Sequence, residues 1–518
     1  MSSPNPKPGG ALASLVLAMR SRRTAFVVLQ SFSSGLPLGL VWYAIPDWMR
    51  DIGIDIRVVG LITLAQAPWA FKVLWSPLMD RYVPPFWGRR RGWMAVTQVA
   101  LLVLGLMLAG LGQRPEAIWV VGALALAIAV ASASQDIAID AYAVEVLHTD
   151  EQGPASGARI ALYRAALLVS GGASITLAAR FGWPAVNVLL ALVYLPVLWI
   201  TWKSPEPDVQ PTPPRTMRDA VWRPFLSFLT RRQALEILAF VVLYKFADNL
   251  AQALTRPFLI DMGYSADHRG IALATVGVVA TVVGAFLGGW VTTLAGLGHA
   301  LWIFGFLQLF SNAGYFLLSV LGAPNLPAMY GATGFELLTS GMGTGAFAVL
   351  LLRLTERQFS ATQYALFSSL FALPRVVAGP VTGFAVDALG WPTFFLATMV
   401  VGIPGLLMLA RFVPLGVREP EFDLEGPRAP TVPATRSHLI VSTTTGGVVA
   451  GVSALALLAA LEALDVMRAA PEVGFAFGAA LERLRHPVAI ADWVQLAGVL
   501  AFAAISGLFV SAMRARRR

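Results

Sequence analysis

Long uninterrupted apolar runs alternate with short polar, basic loops along almost the whole chain. The runs do not alternate with period two, so they predict helices rather than strands of a barrel. Each is close to the roughly 20 residues a helix needs to cross a bilayer. The pattern predicts fourteen spans, at 24–46, 57–79, 93–112, 117–141, 156–180, 183–203, 234–259, 270–295, 299–321, 325–352, 362–388, 391–413, 438–464 and 490–513. The expected organisation is a tail over 1–23, a six-helix bundle over 24–203 and a polar, Pro-rich linker over 204–233. A second six-helix bundle follows over 234–413, then a linker over 414–437, two further helices over 438–513 and a basic tail over 514–518.

Composition agrees with this pattern. The 518 residues are 57% hydrophobic and 13% charged, with mean hydropathy +0.69. A soluble domain carries about a quarter charged residues, so the chain reads as an all-α, polytopic membrane protein. A signal peptide is disfavoured: no clear small-residue cleavage site follows the first apolar run, and many more spans do. The absence of cysteine excludes disulfides and thiol chemistry, and five scattered histidines show no metal-binding spacing. No Walker A loop and no nucleophile–base pair stand at readable spacing, so an enzyme or an ATP-driven pump is not expected. The net charge of +9 reads as topology rather than as nucleic-acid binding. With the N-terminus in the cytoplasm, the loops carrying Arg20, Arg22, Arg23, Arg89–Arg91, Arg215, Arg218 and Arg514–Arg518 all fall inside. The inner side then holds more than twice the basic residues of the outer, and both termini are expected inside.

A repeat divides the chain. Leu162, Val169, Gly171, Gly182, Trp183 and Pro184 match Leu370, Val377, Gly379, Gly390, Trp391 and Pro392 at one constant offset. Span five is thus a copy of span eleven, as expected for two parallel six-helix repeats of the major facilitator architecture.

Charges inside the apolar runs are the candidate chemistry. Asp136 and Asp140 share a face of span four. Lys72 lies in span two, Arg164 in span five, Lys245 and Asp248 in span seven, Glu336 in span ten and Arg375 in span eleven. Each costs about 2.5–3.5 kcal/mol at mid-membrane on insertion scales, so most must pair or meet water. Structural ion pairs explain any one of them about as well as function does. Together they favour a transport cavity, because charges from both halves converge only on a central axis. Asp136, Asp140, Asp248 and Glu336 are the proton-carrying candidates, and an ion gradient is the expected energy source, with no cofactor. Arg159, at the inner edge of span five, reads as a side chain that snorkels to the surface. Between spans two and three, Asp80-Arg81 and Arg89-Arg90-Arg91 form the loop pattern that gates major facilitator transporters, with Asp80 at a helix-end network on the inner side. Pro37, Pro46, Pro68, Pro77, Pro374 and Pro380 predict kinks.

With these residues assembled, the first twelve spans resemble the AmpG muropeptide permease family. The resemblance rests on Ser33–Pro37, Phe71-Lys72, Trp75–Tyr82, Gly88–Trp93, Ser132–Ile137 with Asp140-Ala141, and Tyr163-Arg164. In the second half it rests on Leu243-Tyr244-Lys245 with Asp248, Gly305–Gln308 with Ser311–Tyr315, Phe335-Glu336, Gly341–Thr344, Phe359–Gln363 and Arg375 with Gly379-Pro380. The resemblance implies a proton-driven importer of N-acetylglucosaminyl-1,6-anhydro-N-acetylmuramyl peptides in the bacterial inner membrane, serving cell-wall recycling. It also implies a link to β-lactamase induction in some bacteria. For such a ligand Lys72, Arg164, Lys245 and Arg375 would hold acids. Gln135, Asn249, Gln252, Gln308 and Asn312 would hold hydroxyls and amides, and Trp42, Tyr43 and Tyr163 would face sugar rings. The expected partners are this small molecule and the bilayer, with the protein a monomer. Pro374 stands where the family often has glycine, and the chain beyond Arg411 matches weakly. A siderophore or acetyl-CoA transporter on the same scaffold, and a non-transporting sensor of cell-wall fragments, are the alternatives.

Overall fold

A computed structural model describes residues 20–54, 63–111, 117–208, 210–229, 234–321, 324–420, 436–469 and 474–487, and scattered positions from 493 to 510. Eleven helices among them are long and apolar enough to cross a membrane. In the first half these are spans one (Arg22–Asp51), three (Arg89–Gly110), four (Ile118–Val146), five (Gln152–Phe181) and six (Trp183–Lys203). In the second half they are spans seven (Glu236–Asp261), eight (Asp267–Ala295), nine (Leu297–Val320), ten (Leu326–Leu354) and twelve (Ala385–Phe412). Val441–Ala460, within the helix Arg436–Ala469, is span thirteen. Apart from those scattered positions, the expected span fourteen, the outermost tails and most of the 414–437 stretch lie outside the described residues.

Span two departs from the expected single helix. From Thr63 to Arg81 it is a chain of short pieces: a 3-10 turn, Ala67–Phe71, a 3-10 turn Lys72–Leu74, and Ser76–Arg81. Pro68 and Pro77 each sit in the first turn of a piece, where their missing N–H is tolerated, so each proline restarts the helix. Span one carries Pro37 and then a π-helical segment, Leu40–Ala44. Span five has its own π segment at Leu168–Ala173. The two spans pack backbone to backbone there: a Cβ on Gly39 would lie 2.8 Å from the amide nitrogen of Gly171.

The repeated Gly-Trp-Pro is a helix break in both halves. Gly182 has φ +78° and Gly390 φ +71°, the one non-helical residue inside the continuous stretch Ser360–Phe412. No atom lies within 4 Å of a Cβ placed on Gly390, so the left-handed backbone alone calls for glycine. Span eleven therefore runs from Ser360 to this break, so the apolar stretch Ala385–Phe412 takes in its last residues before span twelve proper starts at Trp391.

Buried polar contacts bind the first half. Gln30, Gln98 and Thr201, on spans one, three and six, form a closed ring. Gln30 Nε2 donates to Thr201 Oγ1 (2.8 Å), Thr201 Oγ1 to Gln98 Oε1 (2.7 Å) and Gln98 Nε2 to Gln30 Oε1 (3.0 Å). All three side chains are fully buried. In the second half glycines do this work: a Cβ on Gly288 would lie 2.3 Å from the Met342 carbonyl oxygen, locking spans eight and ten together.

Candidate functional site

The halves meet at one end of the bundle, around the Asp80–Arg91 loop. Span four runs past its expected end at 141 to Val146, which brings Glu145 to this end. Arg90 is buried and makes four hydrogen bonds through its guanidinium. It donates to Asp80 Oδ1 (2.6 Å), Glu145 Oε1 (2.7 Å), Ser360 Oγ (2.7 Å) and the Met79 carbonyl (3.0 Å). Arg89 pairs with Glu145 (2.6 Å) and reaches the carbonyls of Arg357 and Gln358. Asp80 Oδ2 accepts the Thr362 amide N–H (2.9 Å) and hydroxyl (2.7 Å), and Oδ1 the Ala361 N–H (3.3 Å). The two backbone donors are amides in the first turn of span eleven, which have no partner within the helix and mark the positive end of its dipole. Beside this network a Cβ on Gly289 of span eight would lie 2.4 Å from the Gly153 carbonyl of span five.

The helix Met217–Leu229 lies under the same end. Gln363, fully buried, accepts the Glu356 N–H and donates to Pro224 O (3.1 Å) and Ser227 Oγ (3.0 Å) of that helix. Phe228 packs edge-on against Phe367. Arg81 and Arg91 are not in the cross-half network. Arg81 stacks on Tyr82, and Arg91 binds the Ser204 carbonyl (2.7 Å) and Glu206, at the end of span six.

Deeper in the first half a second cluster forms. Asp140 pairs with Arg159 (2.6 Å) and Lys72 (3.5 Å). Arg159 Nε also donates to Ser31 Oγ (3.0 Å). Asp136 accepts from the Ser34 hydroxyl and has no ion-pair partner within 4 Å among the described residues. A cavity of about 230 Å³ opens here. Ser31, Ser34, Asp136, Asp140, Ser156, Arg159 and Tyr163 line it from the first half, and Ala348 and Tyr364 from the second. Arg159 is therefore not a snorkelling edge residue: its guanidinium turns inward onto Asp140. Gln135 is buried between spans one and four, donating to Ser33 Oγ (2.7 Å), and Arg164 is exposed and outside the cluster. Trp42 packs edge-on against Trp69, and Tyr43 lies against Gly171.

The second half holds a matching group. Lys245 Nζ bonds Asp248 Oδ2 (2.8 Å), the Gln308 side-chain oxygen and the Ser340 carbonyl (3.2 Å). Gln252 Nε2 donates to Glu336 Oε1 (2.7 Å) and Ser340 Oγ (3.0 Å), while Glu336 Oε2 accepts no hydrogen bond. Asn249 turns back to the Lys245 carbonyl (2.7 Å). Asn312 is fully buried, with neither amide atom hydrogen-bonded. The Arg375 side chain lies outside the described ones.

Sequence reasoning missed Arg159, Glu145, Ser360 and Thr362. Only the run Phe359–Gln363 carried a hint of the last two, and nothing in it marked them as partners of Asp80.

Comparison with known proteins agrees with this architecture. The profile of the Major Facilitator Superfamily matches residues 27–378. The anhydromuropeptide permease of Escherichia coli K12 is 43% identical over 389 residues, covering 75% of this chain and 79% of that protein. A putative transporter AmpG 4 of Rickettsia felis is 30% identical, covering 73% and 93%. The crystal structure of the E. coli fucose:proton symporter shares the fold at TM-score 0.58 and 15% identity, covering 76% of this chain and 99% of that one. These relatives are permeases and transporters, in line with a chain that carries no enzyme motif. Membrane-length helices joined at a buried arginine network, the repeated Gly-Trp-Pro break, and this degree of identity together make the chain a multi-pass membrane transporter of the major facilitator superfamily, in the AmpG group.

Proposed function

We propose that the protein imports N-acetylglucosaminyl-1,6-anhydro-N-acetylmuramyl peptides across the bacterial inner membrane, driven by protons, with both termini in the cytoplasm. The observation that carries the substrate is the 43% identity to an anhydromuropeptide permease over 75% of this chain. Peptidoglycan recycling is the process such import serves. The central charges support the coupling. Asp140 and Asp248 are held by cations, whereas Asp136 and Glu336 have only neutral hydrogen-bond partners, Ser34 and Gln252, among the described residues. A carboxylate without a counter-ion in the bilayer is the one whose charge is most costly, so these two are our proton carriers. The Asp80 end is the cytoplasmic end, and its closed network supports a state shut toward the cytoplasm. Transport then alternates by rocking the halves, breaking the Asp80–span eleven contact each cycle.

The test is uptake of a radiolabelled disaccharide anhydromuropeptide into proteoliposomes under an imposed pH gradient. Accumulation that collapses with a protonophore is the expected result. No accumulation by folded protein refutes the substrate, and accumulation indifferent to the protonophore refutes the coupling.

A further inference from the structure

Four charges share the first-half cluster: Lys72 and Arg159 against Asp136 and Asp140. They balance. An anion entering the adjacent cavity meets a site with no net charge to offset its own. One proton on Asp136 changes that, leaving the cluster with a single excess positive charge, the complement of one carboxylate. Arg159 is the guanidinium on the cavity wall, and a planar fork of N–H donors matches a carboxylate's two oxygens. In this structure the fork is occupied by Asp140 and Ser31. Lys72, 3.5 Å from the other oxygen of Asp140, can keep that acid paired when Arg159 turns to a ligand. The cavity, at about 230 Å³, falls below the roughly 300–1,000 Å³ of ordinary small-molecule pockets, so it fits an acidic end group rather than a whole disaccharide peptide.

We infer that Arg159 is the receptor for a carboxylate of the transported ligand, and that this carboxylate and a proton on Asp136 bind together as one neutral unit. The inference rests on the proposed function for the identity of the ligand. It makes coupling a matter of charge balance: ligand binding recruits the proton, and the proton recruits the ligand, by the same factor. The groups that face Asp136 are Ser34 on span one, Lys72 on span two, Asp140 on its own helix, Arg159 on span five, Tyr194 on span six and Tyr364 on span eleven. Among them Asp136 alone is an acid without a cation partner.

The experiment compares equilibrium binding of an anhydromuropeptide bearing a free stem-peptide carboxylate with that of its carboxamide, to full-length protein in detergent. Wild type is expected to prefer the acid by at least about tenfold, and to lose affinity for it as pH rises and Asp136 gives up its proton. Arg159→Gln should bind both forms alike. Should that variant fail to fold, Asp136→Asn provides the second arm: asparagine mimics the protonated acid, and affinity for the carboxylate ligand should become flat with pH. Equal wild-type affinity for acid and amide, an Arg159→Gln protein that still prefers the acid, or an Asp136→Asn protein that keeps the pH slope overturns the inference while leaving the substrate intact. Wild type that binds neither form overturns the substrate reading and the inference with it.

Discussion

The side chain of Asp80 accepts the backbone N–H of Thr362 at 2.9 Å, joining two points 282 residues apart in the chain. One acid thus caps the opening turn of span eleven and neutralises Arg90 of its own half. Asp80→Asn keeps the shape and removes the charge, leaving Arg90 with one carboxylate, Glu145, which it shares with Arg89. Breaking a buried pair costs about 3–5 kcal/mol. We expect uptake to fall at least tenfold, and a cysteine placed at Ala361 to react faster with a membrane-permeant maleimide. Glu145→Gln should do the same. The double variant should be little worse than either single one, because both act on one network. Additive losses would show two independent contacts.

Gln363 ties the helix Met217–Leu229 to span eleven. The chain has no native cysteine, so engineered thiols have no background. A Ser227→Cys/Gln363→Cys protein treated with a short thiol crosslinker should stop transporting, and recover on reduction. Full uptake by protein shown to be crosslinked would mean that this helix and span eleven travel together.

Any side chain at Gly289 collides with the Gly153 backbone, at 2.4 Å from its Cβ position. Gly289→Val should hold spans five and eight apart and bias the protein toward opening at the Asp80 end. Reporter cysteines at that end should become more accessible, and those at the opposite end less so. Unchanged labelling at both ends would show that the packing relaxes locally instead.

Lys245 is buried against Asp248, Gln308 and Ser340. Lys245→Met strands the Asp248 carboxylate, and we expect a clear drop in melting temperature with loss of uptake. Adding Asp248→Asn should restore much of the stability, since the uncompensated charge is gone, but not the uptake. Recovery of uptake in the double variant would make the pair purely structural.

Much of this architecture was legible in the sequence. Run lengths gave the helices, and Gly182-Trp183-Pro184 with Gly390-Trp391-Pro392 gave the break that recurs in each half. Charges stranded in apolar runs stood out because each is costly unless paired or hydrated, and Lys72, Asp140, Lys245 and Asp248 are all paired in the fold. Arg159 was hidden because a basic residue near a membrane edge is satisfied equally by water or by a partner, and only the tertiary fold decides. Glu145 was hidden because the span expected from the apolar run ends at 141, whereas helix continues to Val146 while its polar residues find partners. Ser360 and Thr362 carry no charge and so leave no trace in a hydropathy pattern. Arg164 and Gln135 show the converse, since polarity within a span does not say which way a side chain faces.

The ring of Gln30, Gln98 and Thr201 sets how force passes through the first half. Each member is donor to one neighbour and acceptor from the other, so parting any one helix breaks two of the three bonds where no water can replace the lost partner. Spans one, three and six are thereby fastened into a single lever. A lever of that kind transmits torque instead of absorbing it. The bending a cycle requires must then be taken up where the helices are already loosened: the π segments at Leu40–Ala44 and Leu168–Ala173, and the proline-jointed pieces of span two.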